Sequence, residues 1–551
     1  MAGTILENLS GKKLAIISVV LIICQIVCFL VGALIAPAPS NVQTVIGTKC
    51  IRSKKDAREN TPKFYIPRAK QAEKRCFSVN SFDDPYINRN RITANQIVFA
   101  YQIPIPKDGL ELDFSRWQQN LISVLQFDIL HKKDNPMKKK SKITFEISLG
   151  YRNKWDPEDE WKLLANATEE RNMDCEIDKE YDKDGMMYNC SVLPLFELGS
   201  LHHDYYLINM ILPTDSEVGF NVDLRKVEDV WLVAINQNGG FTQVLLSMKT
   251  VFFVLVVVAM IWFWRRVRQL ARPLVLIEKM LLVLGGSVLF LDFPLEYLTL
   301  VIDMPYMLLF SDIRQGIFYA SLLSFWLVFT GEHLMDDVHR NRINIYWRHL
   351  SAVVFGCLCL FIFDVCERGV QFTNPFYSIW VTDTGTNLAL AFIVLAGLSA
   401  CLYFIFLCYM VFRVFRNISF KRSTLPSMSK ARRLHYEGII YRFRFMMITS
   451  LLCAALTVIS YIVGQVSEGR WKWDDDIKIQ YVSAFFTGVY GMWNLYVIAL
   501  TCFYAPSHKT HSFEERELKN SSQEELEFSR LTSEPGEASS LTEFAKKAAL
   551  E

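Results

Sequence analysis

Apolar residues arrive along this chain in blocks. The first block runs from Leu14 to Ile35 without a charged residue. A helix needs ~20 mostly apolar residues to cross a bilayer core. The block is also longer than the ~7–15-residue core of a cleaved leader, so a retained signal-anchor is expected. A long mixed segment follows with no spanning candidate. The blocks then return at Val244–Trp264, Val275–Phe293, Ile313–Gly331, Leu350–Cys366, Leu388–Phe412, Phe443–Gly464 and Val482–Tyr504. Lys249, Glu278 and Lys279 fall near the ends of their blocks, where a lysine can reach the interface. The pattern predicts an α-helical multi-pass membrane protein with eight spans: one N-terminal helix, an inserted domain, then a seven-helix bundle.

Orientation follows from Lys and Arg in the short connections. Arg265, Arg266, Arg268 and Arg272 follow the second block without an acid. The loop from Arg413 to Arg444 holds nine Lys or Arg against Glu437 alone. On the other side, Phe293–Asp312 holds no base, and Gln465–Tyr481 carries Asp474, Asp475 and Asp476. The expected division is a cytosolic N-terminus (1–13), a first span (14–35) and a luminal domain (36–243). A bundle (244–504) and a disordered cytosolic tail (505–551) complete it. Both termini are then cytosolic.

The luminal segment alternates like an antiparallel sandwich. Ile97, Phe99, Tyr101 and Ile103 mark one strand, and Ile143, Phe145, Ile147 and Leu149 another. Val218, Phe220, Val222 and Leu224 mark a third. A period of two means one buried face. Tyr188–Leu193, Tyr205–Leu212 and Val230–Ile235 are further strand candidates. Asn238-Gly239-Gly240, followed by Phe241–Leu246, reads as a hairpin turn. Phe114–Leu125 reads as a short helix. The lysine-rich stretch 132–142 reads as a solvated hairpin loop.

Of 13 cysteines, Cys50, Cys76, Cys175 and Cys190 fall in this domain. An even count in an oxidising compartment suggests two disulfides. Three connectivities are open; sequence proximity favours Cys50 with Cys76 and Cys175 with Cys190. The remaining cysteines read as packing residues of the spans. Asn166 and Asn189 head luminal glycosylation sequons.

Composition narrows the class. With 51% hydrophobic and 21% charged residues, the chain is not disordered. A net charge of +2 gives no case for nucleic-acid binding. No HExxH, GxSxG or P-loop pattern occurs, and the histidines (His202, His203, His333, His435) lack companions at metal-ligand spacing. No enzyme, metal or cofactor is therefore expected. Asp312, Arg314, Asp364, Glu367 and Arg368 gather at the luminal ends of spans. Their first reading is ion pairs that tie helix ends together. The functional alternative is a polar rim around a cavity open to the lumen. The spans are rich in aromatics, which serve packing and interfacial belts; a lipid-lined cavity has the same composition. Tyr436-Glu-Gly-Ile439 has the form of an endocytic Tyr-x-x-apolar peptide that a clathrin adaptor binds in extended conformation.

Several long motifs carry a resemblance. They include Asp312-Ile-Arg-Gln-Gly-Ile-Phe-Tyr-Ala320, Phe363-Asp-Val-Cys-Glu-Arg-Gly-Val-Gln371 and Asn374-Pro-Phe-Tyr-Ser-Ile-Trp380. Arg432-Arg-Leu-His-Tyr-Glu-Gly438, Gly488-Val-Tyr-Gly-Met-Trp-Asn494 and Tyr504-Ala-Pro-Ser-His-Lys509 add to them. Together they resemble the Wntless family, membrane carriers of lipid-modified Wnt proteins, from the start of the chain to about Lys509. The tail and several luminal stretches resemble insect members.

The resemblance implies that a luminal sandwich grips Wnt while its palmitoleoyl chain enters a cavity in the bundle. Freeing such a chain from membrane into water costs on the order of 10 kcal/mol, at ~0.8 kcal/mol per methylene. The Wnt-binding region would run from about 107 to 248. Phe318, Tyr319, Leu322, Phe325, Phe363, Phe392, Tyr403, Phe485 and Tyr490 become candidate cavity walls. The implied partners are palmitoleoylated Wnts, clathrin adaptor, retromer-type recycling machinery and membrane lipids. The implied route joins endoplasmic reticulum, Golgi, endosomes and plasma membrane, extending to synaptic membranes and vesicles. The vertebrate C-terminal retrieval signal is not matched. The rival reading is a G-protein-coupled signalling receptor. Against it, Gly331-Glu332-His333 stands where an Asp/Glu-Arg-Tyr motif would end the fourth span.

Overall fold

A computed structural model describes residues 4–52, 63–67, 76–106, 112–134, 136–177, 183–214, 220–221, 224, 227–270, 272–334, 343–424, 440–441, 443–459 and 482–507. Tyr436 and Ile439 lie outside these residues, as do Val218, Val222 and the tail from 508.

Residues 40–237 form a two-sheet sandwich in which every strand pair is antiparallel. The smaller sheet has the order β1 (Ser40–Ile46), β11 (Val227–Gln237), β5 (Leu121–Ile129), β9 (Leu193–Leu198). The larger runs β3 (Ser78–Val79), β2 (Thr48–Ile51), β4 (Ile97–Ile103), β10 (Tyr205–Ile211), β6 (Lys140–Arg152), β7 (Lys162–Glu176), β8 (Asn189–Cys190). Alternate residues of β4, β5 and β6 meet between the sheets, where Tyr101, Phe127 and Phe145 are buried. β4 and β10 are buried on both faces. Their outer face is covered by Tyr65, Cys50 and Cys76, and the Asn209 carboxamide exchanges hydrogen bonds with the Tyr65 backbone. Disulfides join Cys50 to Cys76 and Cys175 to Cys190.

Two expectations for this segment fail for physical reasons. Phe114–Leu125 is not a helix: turns lead into β5, where Leu121, Leu125, Phe127 and Ile129 alternate inward. Asn238-Gly-Gly is not a hairpin. β11 already has neighbours on both sides, and the Asn238 side chain accepts from Gly240 N at 2.9 Å, capping a helix. Of the residues marking the third strand candidate, Phe220 makes a β-bridge and Asn221 beside it lies in a turn. Asn221 adopts φ 55° while its amide donates to Thr144 O and Pro213 O at 2.7 Å.

Among the described residues, six helices are long and apolar enough to cross a membrane. They are α1 (Gly11–Leu30, continued by a π turn to Ile35), α2 (Gly239–Arg268), α4 (Met307–Leu334), α5 (Trp347–Gln371), α6 (Asp383–Thr424) and α8 (Val482–Phe503). Two shorter helices occupy the other expected positions: α3 (Leu276–Asp292) and α7 (Phe443–Ile459). α1 packs on α8 through small residues. A Cβ on Gly32, Gly488 or Gly491 would come within 2.1–2.5 Å of Thr487, Phe29 or Cys28. Gln25 Nε2 donates to Gly488 O and Thr487 Oγ1 to Cys28 O, both at 2.9 Å. Close backbone approach with interhelical hydrogen bonds is how membrane helices associate without a hydrophobic driving force.

Candidate functional site

The sandwich and the bundle meet at a polar joint, and the chemistry-bearing residues gather there. The α5–α6 connection supplies its centre. Phe376, from the Asn374-Pro-Phe-Tyr motif, is fully buried in the sandwich core, edge-on to Phe196 at 6.2 Å. Its backbone N–H donates to Asn374 Oδ1 at 3.0 Å. Arg171, on β7 and itself buried, donates to Phe376 O at 2.6 Å and Pro194 O at 3.0 Å. It also pairs with Glu169 at 2.7 Å. Glu197 N donates to Pro375 O at 2.9 Å. Nothing in the local pattern around the motif marks Phe376 for this place in the sandwich core.

Of the acidic and basic residues at the span ends, Asp312, Arg314 and Arg368 enter ion pairs. Arg368 bridges the two domains, reaching Glu197 at 2.8 Å and Asp312 at 3.1 Å. Glu367 accepts from Ile379 N at 2.7 Å, holding the connection against α5. Asp364 lies near Asp312 and Arg368. Arg314 departs from the rim reading. It is wholly buried and donates to Phe290 O at 2.7 Å, to Leu291 O, and to Phe293 O at 2.5 Å. Phe290 O and Leu291 O belong to the last turn of α3, whose carbonyls lack intrahelical partners. Arg314 also pairs with Glu296 at 3.2 Å, and Glu296 takes Lys249 from α2 at 2.5 Å.

Two clefts open at the joint. One, about 150 Å³, is lined by Gln119, Gln237, Thr242, Lys249, Glu296 and Ser311 among others. The second, about 210 Å³, is lined by Leu164, Glu197, His203, Tyr206, Leu308 and Arg368 among others. Both are smaller than the ~300–1,000 Å³ of typical ligand sites. His203 stacks on Tyr151 at 3.7 Å and bonds Asn153 Oδ1 at 3.0 Å. Burial, and then the neighbouring His202, hold its pKa below the ordinary histidine value.

The nine candidate wall residues do not converge on one cavity. Phe318, Leu322, Phe325 and Tyr403 are packed in the bundle core. Phe318 meets Trp493 at 6.2 Å, Phe325 meets Phe329 at 5.8 Å, and the Tyr403 hydroxyl donates to Leu323 O at 2.9 Å. Tyr490 donates to Asp292 at 2.5 Å, and Phe485 packs on Phe29 across the α1–α8 contact. Tyr319, Phe363 and Phe392 keep some exposure, Phe363 lying beside Trp380. Asn166 and Asn189 are exposed on the sandwich.

Comparison with known proteins bears on both halves. Residues 48–237 match the family model described as Wntless, GOLD domain. Residues 238–508 match Wntless-like, transmembrane domain. "Protein wntless" of Drosophila virilis is 52% identical over 100% of both chains. Those of Drosophila ananassae and Drosophila persimilis are each 51% identical with the same coverage. With both domains matched in order and half the residues identical from end to end, the chain belongs to the Wntless family.

Proposed function

We propose that this chain is a transmembrane carrier that binds palmitoleoylated Wnt proteins in the secretory pathway and takes them to the cell surface. Family membership supports a role in Wnt secretion and transport. The observation that carries the finer reading is the joint. The sandwich is fastened to the bundle by Phe376, Arg171 and Arg368. A protein gripped by the sandwich, within about 107–248, is therefore held next to the helices. Its acyl chain leaves water for the apolar surroundings of the helices. The clefts at the joint widen, or helices part, to admit the chain, because neither cleft holds a long acyl chain as it stands.

The reading includes an orientation: both termini in the cytosol, the sandwich in the lumen. Asn166 then carries a glycan. Absence of enzyme-removable glycan at both Asn166 and Asn189 would reverse that orientation. Tyr436 and Ile439 then face clathrin adaptors, with recycling through endosomes and Golgi by retromer-type machinery. Tyr436→Ala raises surface levels, and unchanged uptake refutes the motif. The central test is co-purification of the full chain with Wnt and with a Wnt whose acylated serine is alanine. Strong capture of the first and weak capture of the second is expected. Equal capture overturns the lipid reading, and capture of neither overturns the carrier.

A further inference from the structure

One end of the bundle is basic, and its contacts bring seven helix ends together. Ile5 N, just before α1, donates to Ala505 O beyond α8 at 2.9 Å. Arg266 Nε, at the end of α2, donates to Pro506 O at 2.9 Å. Phe329 near the end of α4 meets Tyr504 at 5.4 Å and Phe443 of α7 at 6.2 Å. Gly331 lies against the Tyr346 ring before α5. Phe415 of α6 meets Phe443 at 5.6 Å. On one sector of this end stand Arg348 (α5), Arg413 and Arg416 (α6) and Arg444 (α7), all exposed. His349 stacks on Phe406 at 3.9 Å, which holds the first turn of α5 against α6. The Phe415–Phe443 contact sets the turn of Arg416 beside Arg444.

The described carboxylates at this end are already engaged. Glu278 pairs with Arg272 at 2.7 Å, and Glu332 accepts from the Tyr346 hydroxyl at 3.4 Å. Among the described residues no carboxylate forms an ion pair with Arg348, Arg413, Arg416 or Arg444. The depth of these arginines follows from helix length. α6 has 42 residues, about 63 Å at ~1.5 Å per residue against a ~30 Å hydrocarbon core. Its apolar run ends at Phe412, so Arg413 and Arg416 emerge at headgroup level. Phe412 and Phe420 around them are 66% and 70% exposed, and Trp347, beside Arg348, is 66% exposed. Exposed aromatics flanking guanidinium groups suit the boundary between acyl chains and headgroups.

We propose that this sector binds the phosphorylated headgroup of an anionic lipid of the adjoining leaflet, of the phosphoinositide class. Exposed guanidinium groups stand on three helices packed together at this end, and each can take phosphate oxygens bidentately. The exposed phenylalanines lie against the acyl chains of the same lipid. Occupation ties α5, α6 and α7 together at the end opposite the sandwich. The proposal goes beyond the carrier reading and stands without it.

The test uses the full chain in nanodiscs of neutral lipid, titrated with a short-chain phosphatidylinositol bisphosphate. Saturable binding is expected, falling steeply with salt. Arg413→Gln/Arg416→Gln/Arg444→Gln should weaken it roughly a hundredfold, near fivefold per arginine. Lys139→Gln/Lys142→Gln on the sandwich should leave it unchanged. The corresponding Arg→Lys triple keeps most of the binding and guards against misfolding of the glutamine variant. Equal binding by wild type and the glutamine triple overturns the site. So does binding that ignores salt. Equal affinity for inositol bisphosphate without acyl chains overturns the assignment to lipid in favour of a soluble phosphate.

Discussion

Replacing Phe376 by alanine should release the sandwich from the bundle. The ring is 1% exposed and sits among core residues of the other domain, edge-on to Phe196. Truncating a buried phenylalanine costs about 3–5 kcal/mol in lost transfer and cavity formation. The backbone bonds from Arg171 to Phe376 O and from Glu197 to Pro375 O do not involve the ring, so the change isolates its packing. If the connection opens locally, the cost falls on the opening equilibrium. At ~1.4 kcal/mol per tenfold, opening becomes on the order of 10²–10³ times more frequent. The Glu197 amide is a direct reporter, because its acceptor lies across the joint. Native-state hydrogen exchange of the full chain in nanodiscs reads it, since exchange through local opening follows that equilibrium. Phe372→Ala is the control: the same connection, but 42% exposed. A Glu197 protection factor that changes less than about threefold in Phe376→Ala would refute the reasoning, because the ring could not then be holding the joint closed.

Three further outcomes follow from the packing and charge. Gly488→Ala places a Cβ 2.3 Å from the Phe29 ring and should lower stability by about 1–3 kcal/mol, read as a fall in Tm. Gly286→Ala, with nothing within 4 Å, should leave it unchanged, and equal effects would dismiss the α1–α8 contact as the cause. Cys175→Ala/Cys190→Ala opens a link of sequence separation 15 and should destabilise the sandwich by about 3 kcal/mol in non-reducing unfolding. His203 has a depressed pKa in the folded chain, so the unfolded state binds more protons as pH falls below ~6.5. Stability contributed by the neutral ring is full above that pH and declines beneath it. His203→Phe should flatten this part of the Tm–pH curve, and an unaltered slope would exclude the group.

The sequence carried the parts of this architecture that depend on local periodicity, and lost those that depend on distant partners. Alternation at Ile97–Ile103 and Ile143–Leu149 became β4 and part of β6 because one face of each meets a common core, though β4 is covered on its other face as well. The apolar blocks became helices because a bilayer fixes their length, though α6 runs a dozen residues past the end of its block. Asn238-Gly-Gly misled because the same residues serve a hairpin and a helix cap. What decides is whether β11 has a free edge, and β1, nearly two hundred residues earlier, has filled it. Arg314 reads in sequence as one more charge at a span end. In the fold it donates to two carbonyls in the last turn of α3, which only the shape of the α3–α4 turn reveals. Phe376 is the strongest case. Its partner Arg171 is 205 positions away, in a domain whose own periodicity is complete without it. Neither domain therefore advertises the joint. Each supplies it with residues that look ordinary at home: an arginine within a strand, an aromatic beside a proline. The joint between the two domains is thus the feature that periodicity alone could not find.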